Sequence, residues 1–320
     1  MDAEELIWSY GEGEREFSRV ELQGTNLIQV DLSGINLSRS ILDWANLSGT
    51  ILIGANLSHS ELVNCRLMAA KLSKSDLSGA NLSYADLSWV DLSNANLAGI
   101  DLRYSNLKQC QLNNADLRGA TLCGANLSGA DLSGADFTRA DLSGADFTDV
   151  DLSGGNFSRA DLALTDLESA DLTGASFYKA DLSNCNMMSA DFQDAILQGA
   201  NLRRANLRGA NLTGAVFREI NISLAAFTEL NLQTQDMSNR IELSLATLRE
   251  ANLRNANLKG VNLAYAILHQ SNLTEACLRS TNLIDASLRG SDLRGANFRN
   301  ASINGTILAE AIMPDGSTYP

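Results

Sequence analysis

Along this chain the apolar positions recur at every fifth residue. From Phe17 to Met237, and again from Leu243 to Met313, each such position is Leu, Phe, Ile or Met. A period of five matches neither the 3.6-residue turn of a helix nor the two-residue alternation of a strand. Sixty consecutive repetitions describe a repeat architecture instead. Within a unit such as Ala130-Asp131-Leu132-Ser133-Gly134, the inward candidates Ala130 and Leu132 stand two apart. Residues two apart share one side of an extended segment, so Asp131 between them points outward. The last two positions turn the chain. Of the 24 glycines, 20 hold the fifth position, where a turn calls for positive φ.

A longer period sits on top of the short one. Phe137, Phe157 and Phe177 are twenty apart, as are Asp131, Asp151, Asp171 and Asp191, and Tyr84 and Tyr104. Four units per coil stack each set in a column. The pattern A(D/N)LxG, as in Ala125-Asn126-Leu127-Ser128-Gly129, resembles the pentapeptide-repeat family over nearly the whole chain. That resemblance implies an all-β fold, a right-handed quadrilateral β-helix with the central Leu or Phe and the small residue inside. About fifteen coils follow, and at roughly 4.8 Å between stacked strands the solenoid is ~70 Å long. Each buried Leu contributes roughly 1.5 to 3 kcal/mol before conformational entropy is subtracted. All nine Phe residues take the central position, and those at 17, 137, 157, 177 and 217 fall on one side, where stacked rings are expected.

Residues 1–14 lie outside the repeat and are expected to cap the first coil. Asp2 and Glu5 have capping-box spacing, and Ala3, Leu6, Ile7 and Tyr10 form an apolar helical stripe. The β-helix is expected over 15–313. Residues 314–320 form a tail in which Pro314 and Gly316 end the repeat and Tyr319 folds over the last coil. A one-residue insertion at 238–242 separates Met237 from Leu243 by six positions. It reads as an outward bulge, either a recognition loop or a tolerated defect, with Ile220, Leu230 and Ile241 adjusting the packing around it.

The chain has no apolar run long enough to span a membrane and no basic-then-apolar leader, which favours the cytoplasm. Cys65, Cys110 and Cys185 take the inward small-residue position, while Cys123 and Cys277 are surface thiols. All five read as reduced. His59 and His269 are the only histidines, and the repeated outward Asp residues are not two carboxylates in contrasting environments, so no catalytic constellation is expected. Walker, GxGxxG, CxxC and nucleophile-elbow motifs are absent. A filled interior leaves no room for a cofactor.

Two surfaces carry candidate binding residues. Charge is uneven: residues 1–200 hold 28 acidic and 12 basic side chains, against 10 and 12 beyond. Asp131, Asp151, Asp171 and Asp191 form one ladder and Asp141, Asp161 and Asp181 another. Stacked carboxylates repel one another, so they are expected to show raised pKa values and to attract a basic partner. Direct nucleic-acid binding is disfavoured on the same ground. The alternative is that Asp simply exchanges with Asn at a solvated position. The second surface is aromatic: Trp44, Tyr84 and Tyr104 take the outward fifth position on one side and Trp89 on the adjoining one, with Ile41 and Ile51 nearby. Trp and Tyr are frequent interface anchors, although they can also pack on their own coil corners. Arg residues in the fourth position, from Arg203 to Arg299, read as solvated, with weak end-to-end association of an otherwise monomeric protein as the other option.

The opening from Glu5 to Phe17 and the close Ile312-Met313-Pro314-Asp315-Gly316-Ser317 resemble cyanobacterial members of the family that regulate heterocyst differentiation. A non-enzymatic scaffold for an unidentified protein partner is therefore expected. An acidic DNA mimic acting on a topoisomerase such as gyrase, or a structural spacer, are the alternatives.

Overall fold

The computed structural model describes residues 1–207, 210, 211, 215, 243, 244, 248–251 and 253–320. The insertion at 238–242, the inward residues Ile220, Leu230 and Ile241, and Phe217 and Phe227 lie outside the described residues. The chain divides into two compact units, Met1–Asp161 and Leu162–Pro320.

In the first unit, helix α1 (Ala3–Gly11) is capped by Asp2, whose Oδ1 accepts from the Glu5 N–H at 2.9 Å. Leu6 is fully buried and the Tyr10 hydroxyl donates to Ser33 O at 2.8 Å, which seats the helix against the repeat. Ile7, expected in the apolar stripe, is exposed. After α1, isolated parallel bridges join residues twenty apart: Glu21 to Ile41, Asn26 to Asn46, Asp31 to Ile51, and onward to Asp141 with Asp161. Four five-residue sides thus make one coil.

Backbone accounting explains the unit. The central N–H donates to the next coil (Leu132 to Asp151 O, 2.8 Å) and the second-position N–H to the previous one (Asp131 to Cys110 O, 3.0 Å). The fifth-position N–H also reaches the next coil (Gly134 to Ser153 O, 2.9 Å). The first-position N–H closes the turn onto the preceding central carbonyl (Ala135 to Leu132 O, 3.0 Å). Only the fourth N–H is left over, and the second-position side chain takes it: the Ser133 N–H meets Asp131 Oδ1 at 3.0 Å. An orphaned donor is unfavourable, and Asp and Asn are the side chains that reach two residues ahead.

Every described fifth-position residue has positive φ, including non-glycines such as Trp44 (63°), Tyr84 (61°), Trp89 (58°) and Tyr104 (56°). The described central Leu and Phe residues are buried in both units, apart from the last turns, where Ile303 is exposed. Phe137 stacks on Phe157 at 4.9 Å and meets Phe147 edge-on at 6.4 Å. Gly155 makes room for this stack, since a Cβ there would come within 2.9 Å of the Phe157 ring.

The second unit repeats the plan, with bridges from Asp166–Asn186 to Asp191–Asn211, and from Asn257–Cys277 to Asp292–Ile312 after the change of register. Phe177 packs against Phe192 at 5.8 Å. At the end, Gly316 (φ 86°) turns the chain back so that Thr318 pairs antiparallel with Ile312 and the Tyr319 N–H donates to Ala311 O at 2.8 Å.

Candidate protein-binding surface

Trp44, Tyr84, Trp89 and Tyr104 all lie in the first unit and are 68, 58, 57 and 59 % exposed. The left-handed corner splays each side chain away from the coil, while the N–H of the same residue is tied to the next coil, as for Tyr84 with Arg103 O at 3.0 Å and Trp89 with Lys108 O at 2.9 Å. The rings of Tyr84, Trp89 and Tyr104 meet neighbours along their columns. Tyr84 stacks on Tyr104 at 5.4 Å and 19°. Tyr104 lies over Gly124, where a Cβ would stand 2.7 Å from two ring carbons. The indole N–H of Trp89 donates to Gln109 Oε1 at 2.7 Å. Ser83 and Ser88, fourth-position residues whose pattern points outward, are also buried. Ile41 and Ile51 are half-buried.

Trp89 also borders an open groove of ≈ 570 Å³ whose lining includes Met68, Asp86, Lys108, Gln109, Gly129 and Asp149. On the Tyr side one pair of charges is neutralised internally: Arg103 forks onto Asp101, with its Nη2 2.5 Å from Oδ2. Burial pushes the Asp101 carboxyl up, but the hydrogen bonds and charge of Arg103 outweigh this and hold it below the usual range.

The carboxylates sit as follows. Asp131 pairs with Asp151 in the first unit, and Asp171 with Asp191 in the second. Each accepts the fourth-position N–H: Ser133 at 3.0 Å, Ser153 at 2.9 Å, Thr173 at 2.9 Å and Gln193 at 2.9 Å. At Asp141 the structure corrects the expectation of a raised pKa. Partial burial pushes it up, but hydrogen bonds from the Cys123 thiol and from the Ser143 hydroxyl and N–H more than offset that, so it lies below its ordinary value. At several places where Asn follows Asp, its amide donates back one coil to the carboxylate, as from Asn96 to Asp76 at 3.0 Å and from Asn211 to Asp191 at 2.9 Å, whereas Asn156 donates to the Thr138 hydroxyl. Asp and Asn are therefore unequal at this position, which the repeat pattern alone does not reveal.

Cys65, Cys110 and Cys185 are buried and Cys123 and Cys277 half-buried, all as free thiols. Burial pushes Cys65 and Cys110 up to about 12. His269 Nε2 lies 2.8 Å from Ser287 Oγ; burial, then Arg249 and Arg289, lower its pKa. Among the described residues, no His, Cys, Asp and Glu cluster is arranged to hold a metal, and no helix is long and apolar enough to cross a membrane.

The profile for pentapeptide repeats matches eight times, over residues 16–54, 50–83, 80–119, 115–154, 156–188, 185–223, 241–279 and 276–313. The chain belongs to the pentapeptide-repeat family. Members of this family fold as right-handed quadrilateral β-helices. Among solved structures, HetL, a pentapeptide-repeat protein involved in heterocyst differentiation regulation in the cyanobacterium Nostoc sp. strain PCC 7120, is 30% identical over 100% of both chains (TM-score 0.22). Rfr23 from the cyanobacterium Cyanothece 51142 is 24% identical over 51% of this chain and 94% of its own (TM-score 0.26). QnrB1, a plasmid-mediated fluoroquinolone resistance protein, is 21% identical over 61% of this chain and 90% of its own (TM-score 0.41). No curated protein matches the sequence.

Proposed function

We propose that this protein is a non-enzymatic scaffold that binds a protein partner through the aromatic corners of its first unit, as a cytoplasmic regulator of the cyanobacterial kind. One observation carries the proposal: Trp44, Tyr84, Trp89 and Tyr104 are each more than half exposed on corners whose backbone is already tied to the next coil. Anchors held in place in the free protein lose little entropy on binding. The regulatory part rests on the terminal segments Glu5 to Phe17 and Ile312 to Ser317. Helix α1 caps the first coil in this proposal, and the returning strand at Thr318 covers part of the last.

Pull-down from an extract of the native cells, repeated with Trp44→Ala and Trp89→Ala, tests it. Loss of one specific partner is expected, and an unchanged set of captured proteins refutes the aromatic surface. A second function, an acidic DNA mimic acting on a topoisomerase, is favoured by the in-register carboxylates of Asp131 with Asp151 and Asp171 with Asp191. Inhibition of gyrase supercoiling that disappears when all four become Asn would establish it in place of the first.

A further inference from the structure

The groove beside Trp89 combines an aromatic wall with carboxylates that lack cations. Resting on the protein-binding function above, its chemistry specifies what part of a partner it takes. The indole N–H is occupied by Gln109 Oε1 at 2.7 Å, so the exposed ring has its π face left to offer. Asp86 receives its three donors on one oxygen: the Ser88 N–H at 3.1 Å, the Ser88 hydroxyl at 2.8 Å and the Asn106 amide at 3.0 Å all meet Oδ1. Oδ2 has no donor from the described residues. Asp149 stands exposed on a left-handed corner (φ 57°). Neither carboxylate belongs to one of the ion pairs found among the described residues. Gly129 lines the groove between Gln109 and Asp149 in the same column, and the Gln109 side chain lies over it, with Cγ 3.4 Å from where a Cβ would stand.

An indole face next to an unpaired carboxylate suits a guanidinium. Trp89 and Asp149 are three coils apart, roughly 14 Å at ~4.8 Å per coil, which an extended chain covers in about four residues. Residues four apart on a strand face the same way. We propose that the groove binds an extended segment of a protein partner with two basic side chains four residues apart. One lies over the Trp89 ring beside Asp86 and the other against Asp149. Lys108 lines the same groove and opposes the cations, so it works against binding and selects segments whose basic residues bracket it.

The probe is a fluorescein-labelled peptide Arg-Ser-Gly-Ser-Arg, titrated against the full chain at low salt by anisotropy, with the indole N–H resonances followed by NMR. The expected results are saturable binding that shifts the Trp89 resonance and not that of Trp44, and about tenfold weaker binding for the citrulline peptide. Trp89→Leu should weaken binding by a similar factor, and Lys108→Ala should tighten it about two- to threefold. Equal binding of the arginine and citrulline peptides, an unmoved Trp89 resonance at millimolar peptide, or equal binding of free spermine overturns the proposal. If the peptide fails while pull-down of the native partner still requires Trp44 and Trp89, this inference falls and the scaffold function stands. Loss of both disposes of both.

Discussion

On the side of the first unit that carries Asp131 and Asp151, each carboxylate has one oxygen tied to its own turn. The N–H and hydroxyl of Ser133 meet Asp131 Oδ1 at 3.0 and 2.7 Å, and the N–H of Ser153 meets Asp151 at 2.9 Å. On the adjoining side, Trp89 spends only its N–H on the protein and keeps a ring that is 57 % exposed. The two sides share one backbone plan. The second position serves the turn, whereas the fifth position, whose backbone N–H is bound to the next coil, carries its side chain out on a left-handed corner. Repetition of Asp therefore follows from the need of the turn for an acceptor, whereas a large residue in place of Gly at the fifth position puts a side chain outside the coil.

The largest test strikes the core beneath both sides. Phe137→Ala should cost about 3 to 5 kcal/mol in denaturant unfolding, because its ring is buried between Phe147 and Phe157. A cost equal to that of an exposed substitution would show that the column is not packed as described. Next in size is alkaline destabilisation, since a buried thiol lies under each side: Cys110 beneath Asp131 and Cys65 beneath Asp86. Their folded pKa values of about 12 exceed the ordinary 9.0. The folded state thus holds the protons longer, so stability is full below about pH 9 and is lost as pH rises towards 12. Urea midpoints measured across this window should fall, and less steeply in Cys110→Ala and Cys65→Ala.

Trp44→Ala and Trp89→Ala should leave the midpoint nearly unchanged and weaken partner capture at least tenfold, or about 1.4 kcal/mol. A fall in stability with unchanged capture would instead make the rings structural. Gly124→Ala should cost about 1 kcal/mol, because the new Cβ pushes Tyr104 off its seat, breaks the Tyr84 stack and occupies a left-handed conformation. Near-ultraviolet circular dichroism would register the lost stack. Smallest is Asp151→Asn, expected to stabilise by roughly 0.5 to 1 kcal/mol by placing an amide donor on Asp131, as Asn211 does on Asp191. A lower melting temperature would contradict this exchange between coils.

Much of the architecture could be read from the residues. Burial of the Leu column, outward Asp131, twenty residues per coil and exposed Trp44 all follow from a strict period. Burial of Ser83 and Ser88, the space that Gly155 leaves for Phe157, and the Trp89–Gln109 bond were not legible, because each joins a residue to a neighbour whose approach depends on how the coil bends. Ile7 shows the same limit within α1: its place in a helical stripe is clear, yet the stripe is wider than the surface it meets.

By itself the order of residues determined which side chains face inward and how many make a coil, since a period of five with a small residue two before each Leu allows one alternation of inside and outside. Stacking in three dimensions decided what the outward groups can do. Hydrogen bonds two residues and twenty residues away compete for the same carboxylate and ring, and only the spacing of successive coils determines which are satisfied and which remain for a partner.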